Sequence, residues 1–329
     1  MGIRFEKCVL TIATGHAVYI QFAVNLARSF FYWHANSNTG FCIATDRPDW
    51  IPKDLTQQKN FELFVFPPGT YGESFTTKLW MDIMSPGQRT LFLDGDCLLT
   101  GSTDWMFEEM KGKPVATVGE KRSTGEWFGD VQKTCKQFNV QALPGFNGCL
   151  YYFENNPQAH KVFEFARDLE PAYDSLGLVR LRNKPNEELL MAISLAVHNL
   201  YGIPDNGKWY GDQLMSRGSF SLNVIKGIST LTNPLAPNPD HVPEYPFHIT
   251  HPTIVHFLGG NTQKPEYKKE AICLSLIYVN KISPFWAEFI ASSKVFPDFA
   301  KETLKNIFRP LYHAILGHRK IKPSDRQIS

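Results

Sequence analysis

The chain has 329 residues, of which 43% are apolar and 20% charged, so it can bury a core and is not globally disordered. Its 34 basic and 32 acidic residues leave a net charge of +2, which argues against a nucleic-acid-binding protein. The first residues have no apolar signal core, and no window is apolar enough to span a membrane. Six cysteines without paired or zinc-like spacing predict reduced core thiols in a cytoplasmic protein.

The first hundred residues alternate short apolar runs with amphipathic segments. The predicted strands are 8–13, 41–45, 61–66 and 90–93, and the predicted helices are 18–33 and 76–84. Strands and helices that alternate with short connections indicate an α/β fold. We therefore predict a mostly parallel central sheet flanked by helices on both faces.

The second half continues this pattern and then changes character. A strand over 148–153 precedes Asn156-Pro157, which is typical of a helix N-cap followed by proline, and another helix begins near Asn186. The proline-rich stretch 232–252 is predicted to be irregular. The remaining predicted elements are a strand over 253–258 and a helical appendage from about 282. These give two predicted domains, 1–281 and 282–329.

Asp94-Gly95-Asp96 follows the apolar strand 90–93. Residues two apart in an extended chain project to the same side, so the two carboxylates converge at a strand end, where α/β sheets place ligands. Oxygen ligands of this kind suit Mn²⁺ or Mg²⁺ together with substrate phosphates. The alternative is a strand-end turn with two solvated carboxylates, and this short motif alone does not decide between them.

His256 ends another apolar run, ahead of Gly259 and Lys264. A neutral imidazole here is a candidate third metal ligand that favours Mn²⁺, and Lys264 is a candidate contact for a diphosphate. A hydrogen-bonded core histidine and a surface lysine are the alternatives.

Taken together, these segments resemble glycosyltransferase family 8, whose fold is called GT-A. The match rests on Asp94-Gly95-Asp96, on His256-Phe257-Leu258-Gly259 with Lys264-Pro265, on Thr76-Thr77-Lys78-Leu79 and on Phe146-Asn147-Gly148. The resemblance implies a metal-dependent, retaining hexosyltransferase that uses a UDP-sugar donor and a glycan or other hydroxyl acceptor, such as a lipid-linked sugar or a small molecule.

The resemblance also assigns roles to single residues. Asp94, Asp96 and His256 would bind the metal, while Gly259 and Lys264 would bind the diphosphate. Lys78 and Asn147 would line the donor-sugar site. The nucleotide would lie beside the end of the first strand, at Thr11, Ala13, Thr14, Gly15 and Tyr19.

This sequence departs from the family at the helix that begins near residue 186. Asn186 stands where the family usually has Asp, so the acidic role either passes to Glu187 or Glu188 or is missing. Retention needs either a carboxylate nucleophile or same-face attack, in which the acceptor oxygen approaches as the diphosphate leaves. We favour same-face attack, with Glu187 as the best nucleophile candidate otherwise.

The C-terminal residues 301–329 contain seven basic and two acidic residues interleaved with apolar ones. This pattern fits a peripheral contact with an anionic membrane or a packed helix with a solvated basic end.

Two rival functions of the whole chain also stay open. A sugar nucleotidyltransferase is disfavoured because residues 14–20 contain only Gly15, and a catalytically degenerate carbohydrate- or nucleotide-binding protein would share the fold.

Overall fold

The computed structural model describes residues 2–72 and 74–317, with only the backbone of residues 310, 313 and 316. The basic residues that follow Gly317 in the tail lie outside the described residues. The chain divides into two compact units, Met1–His256 and Phe257–Ser329. The predicted domains stay a prediction.

The strands all belong to the first unit. In chain order they are β1 (Phe5–Ala13), β2 (Gly40–Thr45), β3 (Phe61–Val65), β4 (Gly87–Leu93), β5 (Cys97–Leu99), β6 (Val115–Ala116), β7 (Gly119–Arg122), β8 (Leu143–Phe146), β9 (Leu150–Glu154), β10 (Tyr210–Asp212), β11 (Phe220–Asn223), β12 (Ile228–Thr232), β13 (Ile249–Thr250) and β14 (Ile254–His256).

Helices connect the strands of the first unit and make up most of the second. In chain order they are α1 (Ala17–Trp33), α2 (Lys53–Thr56), α3 (Met81–Met84), α4 (Asp104–Met110), α5 (Val131–Gln137), α6 (Pro157–Leu169), α7 (Glu187–Val197), α8 (Pro265–Tyr278) and α9 (Pro284–Leu316), with 3-10 turns at Pro48–Trp50, Ser74–Trp80, Glu170–Ala172 and Gly259–Gln263.

The central sheet has the strand order β3-β2-β1-β4-β9-β6. The first four strands are parallel, and β9 is antiparallel to both of its neighbours. Every residue of β2 is buried, as expected for a parallel strand covered on both faces. The predicted α/β fold with a mostly parallel sheet and C-terminal helices is therefore confirmed.

The order of the strands also locates a binding crevice. The chain leaves β1 towards β2 and β3, then returns to the other side of β1 as β4. The carboxyl ends of β1 and β4 flank this change of direction, and α/β folds bind ligands at such a point. The segment that starts at Thr14 and the Asp94-Gly95-Asp96 segment both emerge there.

Local chemistry explains where the main helices begin. Asn156 caps α6 by accepting a hydrogen bond from Ala159 N at 2.9 Å, as the Asn-Pro pair predicted. Asn186 caps α7 in the same way, accepting from Glu188 N at 3.1 Å. This cap fixes the direction in which Glu187 and Glu188 leave the helix.

Two predicted elements differ in the structure. The stretch predicted as one helix over 76–84 is a 3-10 turn, Ser74–Trp80, followed by the single helical turn α3. The proline-rich stretch 232–252 is not irregular throughout, because β13 pairs antiparallel with β12. A two-residue strand is too short for a periodic pattern, so the pairing with β12 was not readable from the sequence.

The second unit is helical. Helices α8 and α9 pack against each other. In α9, Ala287, Ala291 and Val295 are buried and recur every fourth residue, so they lie on one face of the helix. Across the described ranges, no helix combines the length and the apolar content needed to cross a bilayer.

Candidate functional site

Hydrogen bonds tie three distant segments together at the carboxyl end of β4. Asp94 N donates to Cys149 O at 3.0 Å, and Gly148 N donates to Glu188 Oε1 at 2.7 Å. Asn147 closes the turn before β9, since its side-chain oxygen accepts from Cys149 N at 3.0 Å. The strand end, this turn and the start of α7 thus form one rigid wall.

Lys78 lies at the centre of this wall. Its Nζ is 2.8 and 2.9 Å from the two carboxylate oxygens of Asp94, 2.9 Å from Glu187 Oε1 and 3.0 Å from Gly148 O. The Glu187 side chain is only 2% exposed, so its charge depends on this ammonium for compensation. One cation therefore holds two carboxylates that would otherwise repel each other.

The pKa values of this group follow from burial and from these contacts. Burial disfavours the ammonium, but Asp94 and Glu187 outweigh burial and raise the pKa of Lys78 above its ordinary value. Burial raises the pKa of Glu187 and of Asp94, and Lys78 partly offsets both shifts. The ammonium is therefore the charge that stays fixed while the acids titrate around it.

Glu188 points to the same turn without reaching a cation. Burial, followed by repulsion from Glu187, raises the pKa of Glu188 to about 7, although the hydrogen bond from Gly148 N opposes the shift. Glu188 therefore gains or loses its proton close to neutral pH.

Glu188→Gln is expected to become more stable relative to wild type as the pH rises. A carboxyl with a raised folded pKa stabilises the fold while it is protonated, and this contribution is lost as pH rises from the ordinary value of 4.5 to about 7. Gln keeps the acceptor for Gly148 N and cannot lose a proton. The difference in free energy of unfolding should rise by about 1–3 kcal/mol between pH 4.5 and 8 in urea titrations.

Glu164→Gln, on the exposed side of α6, is the matched control and should give a flat difference across the same range. Parallel pH profiles for wild type and Glu188→Gln would contradict the expected proton binding at Glu188.

His256 belongs to a second, smaller sheet with the order β10-β14-β5. In this sheet Asp212 and Cys97 are the direct cross-strand partners of His256 on its two sides. Residues paired in this way place their side chains on the same face. The pairing therefore aligns the carboxylate of Asp212, the imidazole of His256 and the thiol of Cys97 on one face of the small sheet, next to Asp96.

The imidazole of His256 is 1% exposed and surrounded by acids. Its Nε2 lies 3.2 Å from Asp96 Oδ1 and 4.0 Å from Asp94 Oδ2, and its Nδ1 lies 3.5 Å from Asp212 Oδ2. Within the described chain, neither ring nitrogen has a hydrogen-bond partner of acceptable geometry. Burial alone would lower the pKa of His256. Cys149, Asp96 and Asp212 have a larger effect in the opposite direction and raise this pKa well above its ordinary value.

These residues fit a divalent metal. A buried imidazole with unsatisfied nitrogens next to a carboxylate is costly unless a proton or a cation completes it. The side-chain ligand atoms of Asp96, Cys97 and His256 all lie within 4.8 Å of one another. Both oxygens of Asp94 face Lys78, and Asp94 Oδ2 lies 4.0 Å from His256 Nε2, so the metal-binding role of Asp94 stays a prediction.

The residues predicted to bind the nucleotide lie at and after the end of β1. Thr11 and Ala13 are buried in the strand, Thr14 is partly buried, and Tyr19 is 55% exposed on the first turns of α1. Gly15 has a φ of +75°, and its N–H donates to Asp46 Oδ1 at 2.9 Å. Thr11 Oγ1 is buried without a hydrogen-bond partner among the described residues.

Gly259 and Lys264 belong to the second unit. Gly259 begins the 3-10 turn Gly259–Gln263 with a φ of +65°, a conformation that favours glycine. Lys264 is the N-cap of α8, and its side chain is exposed.

Sequence reasoning missed four residues of the site: Asp46, Asp212, Cys97 and Cys149. Asp46 follows the predicted strand 41–45, and a carboxylate at a strand end was the signal available for it. Asp212 and the two cysteines gave no such signal, because their proximity to His256 depends on strand pairing across long stretches of chain. All six cysteines are buried and free of disulfide bonds, as predicted.

No protein-family model matches the chain, and no curated protein matches it in sequence. Among solved structures, the chain is similar to the galactosyltransferase LgtC in complex with donor and acceptor sugar analogs. The two share 11% identity with a TM-score of 0.47, over 77% of this chain and 87% of LgtC.

Two further solved structures are similar to the chain. The glycosyltransferase GlyE of Streptococcus pneumoniae TIGR4 shares 14% identity with a TM-score of 0.40, over 62% of this chain and 46% of GlyE. Mouse xyloside xylosyltransferase 1 shares 13% identity with a TM-score of 0.41, over 63% of this chain and 87% of that enzyme.

Proposed function

We propose that this chain is a metal-dependent glycosyltransferase of the GT-A type, which moves a hexose from a UDP-sugar to a hydroxyl acceptor. The observation that carries the proposal is the pairing of Asp96 with buried His256, 3.2 Å apart, at the carboxyl end of β4. The strand order puts this pair in the crevice where α/β folds bind nucleotides. A bound Mn²⁺ or Mg²⁺ would supply charge stabilisation for the leaving diphosphate.

The wall around Lys78 supports same-face attack over a covalent intermediate. Glu187 Oε1 lies 2.9 Å from Lys78 Nζ, and Glu188 Oε1 accepts from Gly148 N at 2.7 Å, so both candidate nucleophiles are engaged. Glu187 is also almost completely buried. In the proposed step the acceptor oxygen bonds to the anomeric carbon, the bond from that carbon to the diphosphate breaks, and the departing phosphate oxygen takes the acceptor proton.

The remaining residues position the substrates. We propose that Lys78 and Asn147 orient the donor sugar, because Lys78 Nζ contacts Asp94 and Gly148 O, and Asn147 lies in the same turn as Gly148. The segment from Thr11 to Gly15, with Tyr19, would hold the nucleoside, and Gly259 and Lys264 would hold the diphosphate. Most of the catalytic gain would then come from positioning and charge stabilisation.

Calorimetric titration of UDP, with and without Mn²⁺, tests this function. Wild type should bind UDP tightly only with the metal, and Asp96→Ala should weaken that binding by about 100-fold or more. Asp168→Ala removes an exposed carboxylate from α6 and should bind as wild type does. Metal-independent binding, or none, would overturn the proposal.

A catalytically degenerate binding protein is the second candidate, and Asn186 favours it. Its amide oxygen is used to cap α7, so no acid stands at the position where the family resemblance implies one. Slow hydrolysis of UDP-sugars by wild type would exclude this alternative. Tight UDP binding without any hydrolysis or transfer would support it.

We also propose that α9 binds to an anionic membrane surface. One side of this helix carries apolar side chains that are at least half exposed, spaced as on a single helical face. They are Phe285, Phe289, Phe296, Leu304, Ile307, Phe308, Leu311 and Ile315. Lys294, Lys301, Lys305 and Arg309 follow the polar side, and each basic residue near an anionic surface adds about 1 kcal/mol of attraction.

Sedimentation with vesicles tests the membrane contact. The protein should bind vesicles that contain phosphatidylglycerol and should not bind vesicles of phosphatidylcholine alone. Ile307→Ser with Leu311→Ser should abolish binding, whereas Asn306→Ser, on the polar side, should leave it unchanged. Equal vesicle binding by the double variant and by the Asn306→Ser control would contradict the proposed membrane contact.

A further inference from the structure

We propose that the metal site of this chain is a mixed carboxylate–imidazole–thiolate site, selective for a thiophilic divalent cation such as Zn²⁺. Cys97 would be a ligand together with Asp96 and His256. The inference deepens the function proposed above, because it names the cation class of the same site. An oxygen-rich site would instead select Mn²⁺ or Mg²⁺.

Strand pairing places the thiol in the site. Cys97 is the direct antiparallel partner of His256, and it follows Asp96 in sequence. The ligand atoms of these three residues lie within 4.8 Å of one another. Ligands around a tetrahedral Zn²⁺, with bonds of about 2.0–2.3 Å, lie roughly 3.5 Å apart, so only small side-chain rotations are needed.

A second thiol lies next to the first. Cys149 is completely buried and interacts with both Cys97 and His256. Two buried thiols beside an imidazole and a carboxylate supply a donor set that is common in zinc proteins and foreign to magnesium sites. Cys149 thus adds a second sulfur next to the site, outside the group of Asp96, Cys97 and His256.

The oxygen donors are fewer than the Asp94-Gly95-Asp96 motif suggests. Both oxygens of Asp94 lie within 2.9 Å of Lys78 Nζ, so this carboxylate is already engaged by a fixed ammonium. Asp96 Oδ1 is closer to His256 Nε2, at 3.2 Å, than Asp94 Oδ2, at 4.0 Å. Mn²⁺ or Mg²⁺ would thus find one carboxylate that no ammonium engages, beside an imidazole and a thiol, and Zn²⁺ favours such a donor set more strongly.

The buried imidazole supplies an independent observation. His256 is 1% exposed, and among the residues that the structure describes neither of its nitrogens makes a hydrogen bond of acceptable geometry. Metal-binding histidines present one nitrogen to the ion and the other to a carboxylate. Here Nε2 faces Asp96, and Asp212 Oδ2 lies 3.5 Å from Nδ1, as such an arrangement needs.

Co²⁺ titration of the metal-free protein, without any donor, tests the inference. Thiolate ligation should give an intense near-ultraviolet charge-transfer band, and Zn²⁺ should displace Co²⁺ where Mn²⁺ does not. Cys97→Ser should lose the band and weaken Zn²⁺ binding by about tenfold or more, with little effect on Mn²⁺. Cys135→Ser, which removes another buried thiol, should behave as wild type.

A wild-type protein without the band, or a Cys97→Ser variant that keeps it in full, would overturn the inference. Should Cys97→Ser not fold, cadmium NMR of the wild-type protein gives the same answer, because a sulfur ligand shifts the resonance strongly from that of oxygen ligation.

The proposed transferase function and the proposed thiolate ligand can be refuted independently of each other. A charge-transfer band without UDP binding would overturn only the transferase, and Mn²⁺-dependent UDP binding without a band would overturn only the thiolate site.

Discussion

Lys78→Met is expected to lower the free energy of unfolding by about 3–5 kcal/mol, the usual range when one partner of a buried ion pair is removed. The Lys78 side chain is 15% exposed and the Glu187 side chain 2% exposed, so the pair is shielded from solvent. Without the ammonium, Glu187 faces Asp94 uncompensated, and Gly148 O loses its donor. Urea denaturation at pH 7.5 measures the change.

A second variant separates the loss of charge pairing from the loss of packing. Adding Glu187→Gln to Lys78→Met should recover part of the lost stability, because the amide carries no charge to leave unpaired. Lys268→Met is the control, since it breaks an ion pair with Asp298 that is close to half exposed and should cost less than about 1 kcal/mol. A loss of similar size in both single variants would contradict the central role of Lys78.

Gly148→Ala should destabilise the protein by about 1–3 kcal/mol, the typical cost of forcing extra volume into a packed region. A Cβ at this position would lie 2.7 Å from Glu187 Oε1 and 2.9 Å from Glu188 Cγ. Glu187 has little freedom to move, because Lys78 and burial fix it. The shift would also disturb the hydrogen bond from Gly148 N to Glu188, so UDP-dependent activity should fall as well.

Gly101→Ala provides the comparison for this substitution. Its Cβ would meet only Thr253 Cγ2, at an ordinary contact distance of 3.6 Å. Thermal unfolding of the two variants should therefore differ clearly. A Gly148→Ala protein as stable as Gly101→Ala would show that the wall around Lys78 is more pliable than its contacts indicate.

Sequence periodicity predicted the parts of the fold that depend on local pattern. The buried strands around β1 and the amphipathic helices α1, α6 and α7 were predicted within a few residues, as was the cap at Asn156. The sheet β11-β12-β13 was not, because its short strands alternate with turns and contain few apolar residues. Propensity is informative only over longer windows.

The same difference between local pattern and long-range contacts applies to the residues of the site. Asp94, Asp96 and His256 were noticed because each ends an apolar run, which is a local signal. The ion pairs of Lys78 and the pairing of His256 with Asp212 and Cys97 depend on register between strands far apart in sequence. A single sequence does not encode that register in any local pattern. For this reason Cys97 was not among the predicted ligands.

The small sheet that holds His256 has a consequence for folding kinetics. Its strands are three residues long, and they come from three regions of the chain separated by long intervening segments. Closing such loops costs entropy before any contact compensates for it, so this sheet should be among the last parts of the first unit to form. Incompletely folded or truncated chains would then not bring Asp96 and His256 together.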